Sequence, residues 1–115
     1  MKYVIAVIQP DRLREVLDEL ERREIHLVTV TQVMGRGRQR GEAEVYRGHK
    51  EVGTLLRKIK LEIAVNDSFL QPTIDAILTA ARTDGGRIGD GKIFVLELQE
   101  CIRVRSGETG SVAIG

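Results

Sequence analysis

Four consecutive residues, Gly89-Asp90-Gly91-Lys92, have the composition of an anion-binding turn that opens a predicted strand. Glycines allow a ligand to approach the backbone closely, and successive turn amides can bind an anion. Lys92 adds a positive charge at the same place. Taken alone, however, the pattern is more typical of a tight turn with a solvated lysine. The segment also lacks the GxxxxGK[ST] spacing of a Walker loop.

Two arginines near the C-terminus could bind a polyphosphate. Arg103 and Arg105 lie two residues apart in a segment, Ile102–Arg105, that is predicted to be extended, so that both point to one face. Adjacent guanidinium groups form the forked hydrogen bonds that phosphates accept. The alternative is an edge strand that like charges keep soluble.

A third candidate group, Arg36, Arg38 and Gln39, begins a long glycine-containing loop. Arginine binds phosphate, and the amide oxygen of Gln39 could ligate Mg²⁺, which takes few protein ligands beside substrate phosphates. A solvated loop is the alternative interpretation.

The residues that could catalyse a reaction are few and scattered. His26 begins a strand and His49 lies in the long loop, and no pattern places a nucleophile beside a base. A phosphohistidine role for either histidine, or a small phosphatase activity, therefore has little support. Two histidines and Cys101 are not clustered as metal ligands.

Composition limits the class of protein. The 115 residues are 42% hydrophobic, which predicts one globular domain over 1–115. Lys and Arg number 18 against 17 Asp and Glu, and aromatics are 3%, so neither a phosphate-neutralising nor a base-stacking surface is expected. We therefore predict no nucleic-acid partner. The longest apolar run, Val4–Ile8, is far below the ~20 residues of a membrane span, so we expect a cytoplasmic protein without membrane insertion.

Periodicity places these residues on a repeated pattern of elements. The second helix has a predicted apolar stripe of Leu70, Ile74, Ile77, Leu78 and Ala81. The long loop spans about 36–55 and is basic, since residues 35–60 hold eight basic and three acidic side chains. A loose tail is predicted at 106–115. The predicted elements are a strand at Tyr3–Ile8, a helix from Pro10 to near Arg23, a strand at Leu27–Val33, a strand at Lys58–Val65, the second helix and a strand at Ile93–Leu98.

The order β-α-β, loop, β-α-β predicts an α+β fold, the ferredoxin-like split β-α-β (βαββαβ) with a long protruding loop. Both helices lie on one face of such a sheet. The other face still has alternating apolar residues, which a symmetric oligomer would cover.

Several segments together resemble the nitrogen regulatory PII signal-transduction family. The likeness extends from Met1 to about Glu108. Its segments are Thr29–Thr31, Gly35–Gln39, Tyr46–Gly48, Lys58–Glu62, Gly89–Phe94 and Arg103–Glu108. The sequence GDGKIF followed by RxRxGE is the most specific of them.

The resemblance implies a homotrimer with ATP or ADP bound between subunits and 2-oxoglutarate bound beside ATP through Mg²⁺. Gln39 would hold the Mg²⁺, and Lys58 would pair with a 2-oxoglutarate carboxylate. The remaining 2-oxoglutarate residues would be Arg40 and Gly41, and Tyr46 and Arg47 would dock on a target. The implied nucleotide site comprises Thr29, Gly37, Arg38, Ala64, Gly89, Asp90, Gly91, Lys92, Arg103 and Arg105.

The sequence departs from the family pattern at two segments and one single residue. His49-Lys50-Glu51 replaces the stretch that leads to a second, uridylylated tyrosine in many bacteria, so we expect no uridylylation. Thr83–Gly89 is two residues longer than usual. Gln9 stands where a lysine or arginine is common before Pro10.

We therefore expect a non-enzymatic sensor of ATP, ADP and 2-oxoglutarate. Its loop would regulate nitrogen assimilation by docking on an ammonium transporter or on an enzyme or regulator of nitrogen metabolism. The alternative is a PII-like sensor of a different small anion, such as bicarbonate, with adenine nucleotide.

Overall fold

The computed structural model of the chain describes residues 1–37 and 55–115. Short 3₁₀ turns at Pro10–Arg12 and Asp67–Phe69 lead into the two long helices. The elements are β1 (Lys2–Ile8), α1 (Leu13–Arg22), β2 (Thr29–Gly35), β3 (Leu56–Val65), α2 (Leu70–Ala81), β4 (Gly91–Glu97) and α3 (Ser111–Ile114).

The four strands form one sheet in the order β2-β3-β1-β4, and every neighbouring pair is antiparallel. Strand β1 is central, as its apolar β-branched residues predict: Val4 lies opposite Ile63 on one side and opposite Val95 on the other. This arrangement confirms the predicted α+β ferredoxin-like fold. The predicted β2 and β4 bounds differ from the observed ones by about two residues.

The core lies between the helices and one face of the sheet. Val4, Ala6 and Ile8 of β1 are buried there, and Val16 and Leu20 of α1 pack in the same cluster. Alternate residues of β3 complete this layer, namely Ile59, Leu61, Ile63 and Val65. The alternation of buried and partly exposed residues along β1 and β3 follows from the two-residue period of a strand.

The buried face of α2 corrects one prediction. Leu78 was predicted to belong to the apolar stripe, but it is 42% exposed, whereas Thr73 is fully buried. The Thr73 hydroxyl donates to the carbonyl oxygen of Phe69 at 2.7 Å, so its only polar side-chain group is satisfied inside the helix. Small residues at Ala76 and Ala80 complete the buried face beside Ile77.

Helix α1 ends in a Schellman motif that turns the chain toward β2. The amide of Ile25 donates to the carbonyl of Leu20 at 2.9 Å, and the amide of Glu24 donates to that of Glu21 at 3.0 Å. Glu24 has φ 64°, the left-handed conformation that usually favours glycine here. Ile25 and Leu20 are both buried, which is the apolar contact that accompanies the motif.

The C-terminal segment differs from its prediction. The expected extended run Ile102–Arg105 is wrong beyond Ile102, which pairs with Thr109, because the chain turns between them. The tail predicted to be loose instead holds α3, in which Ala113 is buried. Asn66 donates to the carbonyl of Ser111 at 3.2 Å and ties this tail to the end of β3.

Within the two described ranges, no helix is long and apolar enough to cross a membrane.

Candidate functional site

A single carboxylate organises the loop between α2 and β4, residues 82–90, which we call the glycine loop. Asp90 accepts hydrogen bonds from the Thr83 amide at 3.0 Å, the Thr83 hydroxyl at 2.5 Å and the Arg87 amide at 2.8 Å. The amide of Gly86 also donates to the Thr83 carbonyl at 2.7 Å. The Thr83–Gly89 segment, predicted to be longer than is usual in the family, is therefore a closed turn built around Asp90.

Electrostatics favour the charged form of that carboxylate. Burial would raise the pKa of Asp90, but hydrogen bonds from Thr83 and Arg87 and the charge of Arg87 together hold it below its usual 3.8. Asp90 was predicted to contact the nucleotide, but in the structure it also has a structural role in the loop. Its side chain is engaged by its own loop, and its amide donates to the Arg87 carbonyl at 3.1 Å.

Gly91 fixes the loop against the end of β1. Its φ is 125°, and a Cβ built on it would lie 1.9 Å from the carbonyl oxygen of Val7. Only glycine fits this approach. Strand pairing continues directly from it, because Gly91 lies opposite Ile8 and Lys92 opposite Val7. The loop therefore delivers Lys92 to the sheet face away from the helices.

A cleft of about 650 Å³ opens beside this loop. Among the described residues that line it, four are basic and one, Asp90, is acidic. The lining comprises Val7, Gly35, Arg36, Gly37, Lys58, Arg87, Ile88, Gly89, Asp90, Gly91, Lys92 and Phe94. Because the Asp90 carboxylate is hydrogen-bonded within the loop, the charges left facing the cleft suit an anionic ligand.

Lys58 of β3 lines this cleft beside the loop. Its ammonium donates to the carbonyl of Gly89 at 3.4 Å. Partial burial lowers the pKa of Lys58 from its usual 10.5, and the charge of Asp90 opposes that shift. The predicted residues Gly37, Lys58 and Gly89–Lys92 thus lie around one space.

The other predicted nucleotide residues lie toward the opposite end of the sheet. Thr29 is opposite Glu62 and Ala64 is opposite Tyr3. Arg103 and Arg105 follow the end of β4 that pairs with Lys2, whereas Gly91 at its start pairs with Ile8. Seven residues of strand separate the two ends by about 20 Å. Within one copy of the chain, the predicted nucleotide residues therefore form two separate groups.

The two arginines also differ from their predicted arrangement. The Arg103 guanidinium donates to Glu108 Oε1 at 2.7 Å and to the carbonyl of Val112 at 2.9 Å. Arg105 lies in the turn and is exposed. The two are not neighbours on one face of a strand, and Arg103 is oriented by the C-terminal segment.

Six predicted residues fall outside the described part of the chain. They are Arg38, Gln39, Arg40, Gly41, Tyr46 and Arg47, all within 38–54. Most of the predicted long loop, about 36–55, lies in that same range.

Two residues of this region were not predicted to have a structural role in it. Thr83 supplies two of the three hydrogen bonds to Asp90, and no local motif signals a pairing seven residues apart. Gln9 donates to the carbonyl of Gly89 at 2.8 Å. The sequence marked Gln9 only as a departure from the family pattern before Pro10, which does not indicate this contact.

Comparison with known proteins identifies similar sequences over almost the whole chain. The family model described as "Nitrogen regulatory protein P-II" matches residues 1–108. "Nitrogen regulatory protein GlnK1" of Methanosarcina mazei is 54% identical over 114 residues, covering 99% of this chain and 97% of that protein. "Nitrogen regulatory protein P-II" of Bradyrhizobium diazoefficiens is 47% identical, covering 99% and 100%. "Nitrogen regulatory protein P-II 2" of Methanothermobacter thermautotrophicus is 46% identical, covering 99% and 97%.

These names describe regulatory proteins and not enzymes, which confirms the non-enzymatic prediction. With the fold, the glycine loop and the match over almost its whole length, the chain belongs to the nitrogen regulatory protein P-II family.

Proposed function

We propose that this regulatory protein senses adenine nucleotide and 2-oxoglutarate. The observation that supports the proposal most directly is the cleft at the glycine loop, where Arg36, Lys58 and Lys92 surround a space of about 650 Å³. Glycine backbone with several cations suits a polyphosphate better than a neutral ligand. ATP or ADP would occupy this cleft.

The complete nucleotide site would form between copies of the chain in a homotrimer. The two groups of predicted residues lie at opposite ends of one sheet, and a cyclic arrangement places one end beside the other end of a neighbour. Exposed apolar residues support this assembly: Phe94 and Leu96 are 49% and 46% exposed on the face away from the helices, and Val104 is 99% exposed.

In that assembly Lys92 of one copy and the Arg103–Arg105 turn of another would bind the phosphates. Exposed Arg105 is available, and Arg103 would exchange its Glu108 partner for phosphate oxygens. Lys58 would pair with a carboxylate of 2-oxoglutarate, within reach of the Gly89 carbonyl that it now contacts. Arg38, Arg40 and Gly41 would complete the site, as the family resemblance implies.

Mg²⁺ would be held by Gln39 together with ligand oxygens. Among the described residues no three His, Cys, Asp or Glu side chains gather into a metal site. A cation with one protein ligand fits that donor set, since Mg²⁺ accepts amide oxygen and is usually completed by phosphates and water. Gly37 lines the cleft two residues before Gln39. When bound, the ion would neutralise charge between phosphate and carboxylate.

The output would be docking of the 36–55 loop, through Tyr46 and Arg47, on an ammonium transporter or on an enzyme or regulator of nitrogen metabolism in the cytoplasm. Ligands that contact the loop base differently in two states shift the population between them. Control would come from ligands alone, without uridylylation.

Calorimetric titration of ATP, ADP and a panel of small acids with and without Mg²⁺ tests the proposal. Arg103→Ala should weaken ATP binding about tenfold to a hundredfold, because a charge-assisted hydrogen bond contributes roughly 1.5–3 kcal/mol. Arg14→Ala, an exposed change on α1, is the matched control. Wild-type protein without measurable nucleotide affinity refutes the proposal. Binding of bicarbonate in place of 2-oxoglutarate would favour a sensor of another anion.

A further inference from the structure

The glycine loop separates two depressions. On one side is the cleft that contains Lys58 and Lys92. On the other side is a polar hollow of about 700 Å³, which Gln9 lines together with Arg12 and Thr83. Gln9 does not line the cleft. Any effect of Gln9 on a ligand there must therefore act through the loop.

The peptide unit between Gly89 and Asp90 is held at both of its ends. Its carbonyl oxygen accepts from Gln9 Nε2 at 2.8 Å and from Lys58 Nζ at 3.4 Å. Its N–H donates to the Arg87 carbonyl at 3.1 Å. Gly89 has φ 99°, and glycine tolerates several other backbone conformations. These hydrogen bonds therefore select one orientation of the peptide out of several that are accessible.

An anion in the cleft would affect the hydrogen bonds from Lys58 and from Gln9 to the Gly89 carbonyl differently. An anionic ligand in the cleft is a stronger acceptor for the Lys58 ammonium than a neutral carbonyl is. As Lys58 turns to such a ligand, its 3.4 Å contact with Gly89 weakens. The carbonyl would then need another donor, since a partly buried acceptor without one is costly. Gln9 is neutral, bonds at the shorter distance and approaches from the side that the ligand does not occupy.

We propose that Gln9 is a positioning residue, which keeps the Gly89–Asp90 peptide in its binding orientation while an anionic ligand engages Lys58. The inference rests on the proposed function for the identity of that ligand, but the hydrogen bond itself can be tested without one. In this role Gln9 contributes to affinity without adding charge to the cleft.

The first measurement is amide hydrogen exchange on the unliganded full chain, resolved at Asp90. Gln9→Met preserves the length of the side chain and removes the donor, so exchange at Asp90 should become about three- to tenfold faster, the effect of one neutral hydrogen bond. Gln9→Lys restores a donor and should return exchange toward the wild-type rate. Gln32→Met, an exposed change on β2, is the control and should alter nothing at Asp90.

The second measurement is titration of the same variants with 2-oxoglutarate in the presence of ATP and Mg²⁺, because 2-oxoglutarate is the ligand proposed to engage Lys58. Gln9→Met should weaken binding about three- to tenfold while its thermal midpoint stays near that of Gln32→Met. Unchanged exchange at Asp90 overturns the proposal whatever the affinity. Faster exchange with unchanged 2-oxoglutarate affinity overturns it as well, since the orientation would then not matter for binding. If wild-type protein binds no nucleotide, the proposed function fails, and the exchange arm still decides whether Gln9 orients the loop.

Discussion

Replacement of Gly91 by alanine tests the structural basis of the site directly. The added Cβ would lie 1.9 Å from the Val7 carbonyl oxygen and 3.2 Å from Ile8 Cα, both of them backbone atoms of the central strand. No rotamer change can relieve such a contact, so β1 or the start of β4 must move. The φ of 125° is unfavourable for alanine as well. Gly37→Ala is the matched control, because no atom of residues 1–37 or 55–115 lies within 4 Å of a Cβ placed on it.

The expected loss can be estimated from these two effects. A residue held in a conformation that favours glycine costs about 1–3 kcal/mol. Forcing an extra methyl group into a closely packed region costs about 1–3 kcal/mol more. Gly91→Ala should therefore lower the free energy of unfolding by about 2–6 kcal/mol, out of the roughly 5–15 kcal/mol typical of a domain. Gly37→Ala should change it by less than about 1 kcal/mol.

Urea denaturation of wild type and both variants measures these differences. Protein concentration must be matched, because the proposed assembly would make the apparent stability depend on concentration. In thermal melts the lower bound corresponds to about 8 °C, at roughly 4 °C per kcal/mol. If Gly91→Ala remained within about 1 kcal/mol of Gly37→Ala, the close approach of the loop to β1 would be wrong, and with it the placement of Lys92.

Three further changes test other parts of the structure. Asp90→Ala should lower the free energy of unfolding at pH 7 by about 1–3 kcal/mol, because the hydrogen bonds from Thr83 are lost. The folded pKa of Asp90 lies below its usual 3.8, so this contribution is present above pH 3.8 and is lost as the pH falls through the folded pKa. Equal losses in urea melts at pH 7 and pH 3 would contradict the assignment. Glu24→Gly should raise the free energy of unfolding by about 0.5–1 kcal/mol, because relief of roughly 1–2 kcal/mol of left-handed strain exceeds the entropy cost of glycine, whereas Glu24→Ala should not. In denaturant melts, Ile77→Ala should lower the free energy of unfolding by about 2–5 kcal/mol and Leu78→Ala by under about 1 kcal/mol. Equal losses would show that Leu78 is as buried as Ile77.

The sequence by itself determined the fold and the family. Alternating apolar residues in β3 and the continuous apolar, β-branched run in β1 identify two strands, and both lie inside the sheet. The order of elements then leaves few ways to form one sheet. The glycines at 89 and 91 also marked the loop correctly, since few other residue types adopt their backbone conformations.

The tertiary structure decided where the candidate site residues lie and what they contact. Separation along the chain says nothing about which end of a sheet a residue reaches, so only the strand register shows Lys92 and Arg103 at opposite ends. Asp90 is hydrogen-bonded to Thr83, seven residues away, and Gln9 is hydrogen-bonded to Gly89, eighty residues away. No local sequence pattern encodes such contacts. Leu78 has the spacing of a core residue but is exposed, whereas the small residues Ala76 and Ala80 are buried. Burial of a helix residue depends on the surface that packs against the helix and not on periodicity alone.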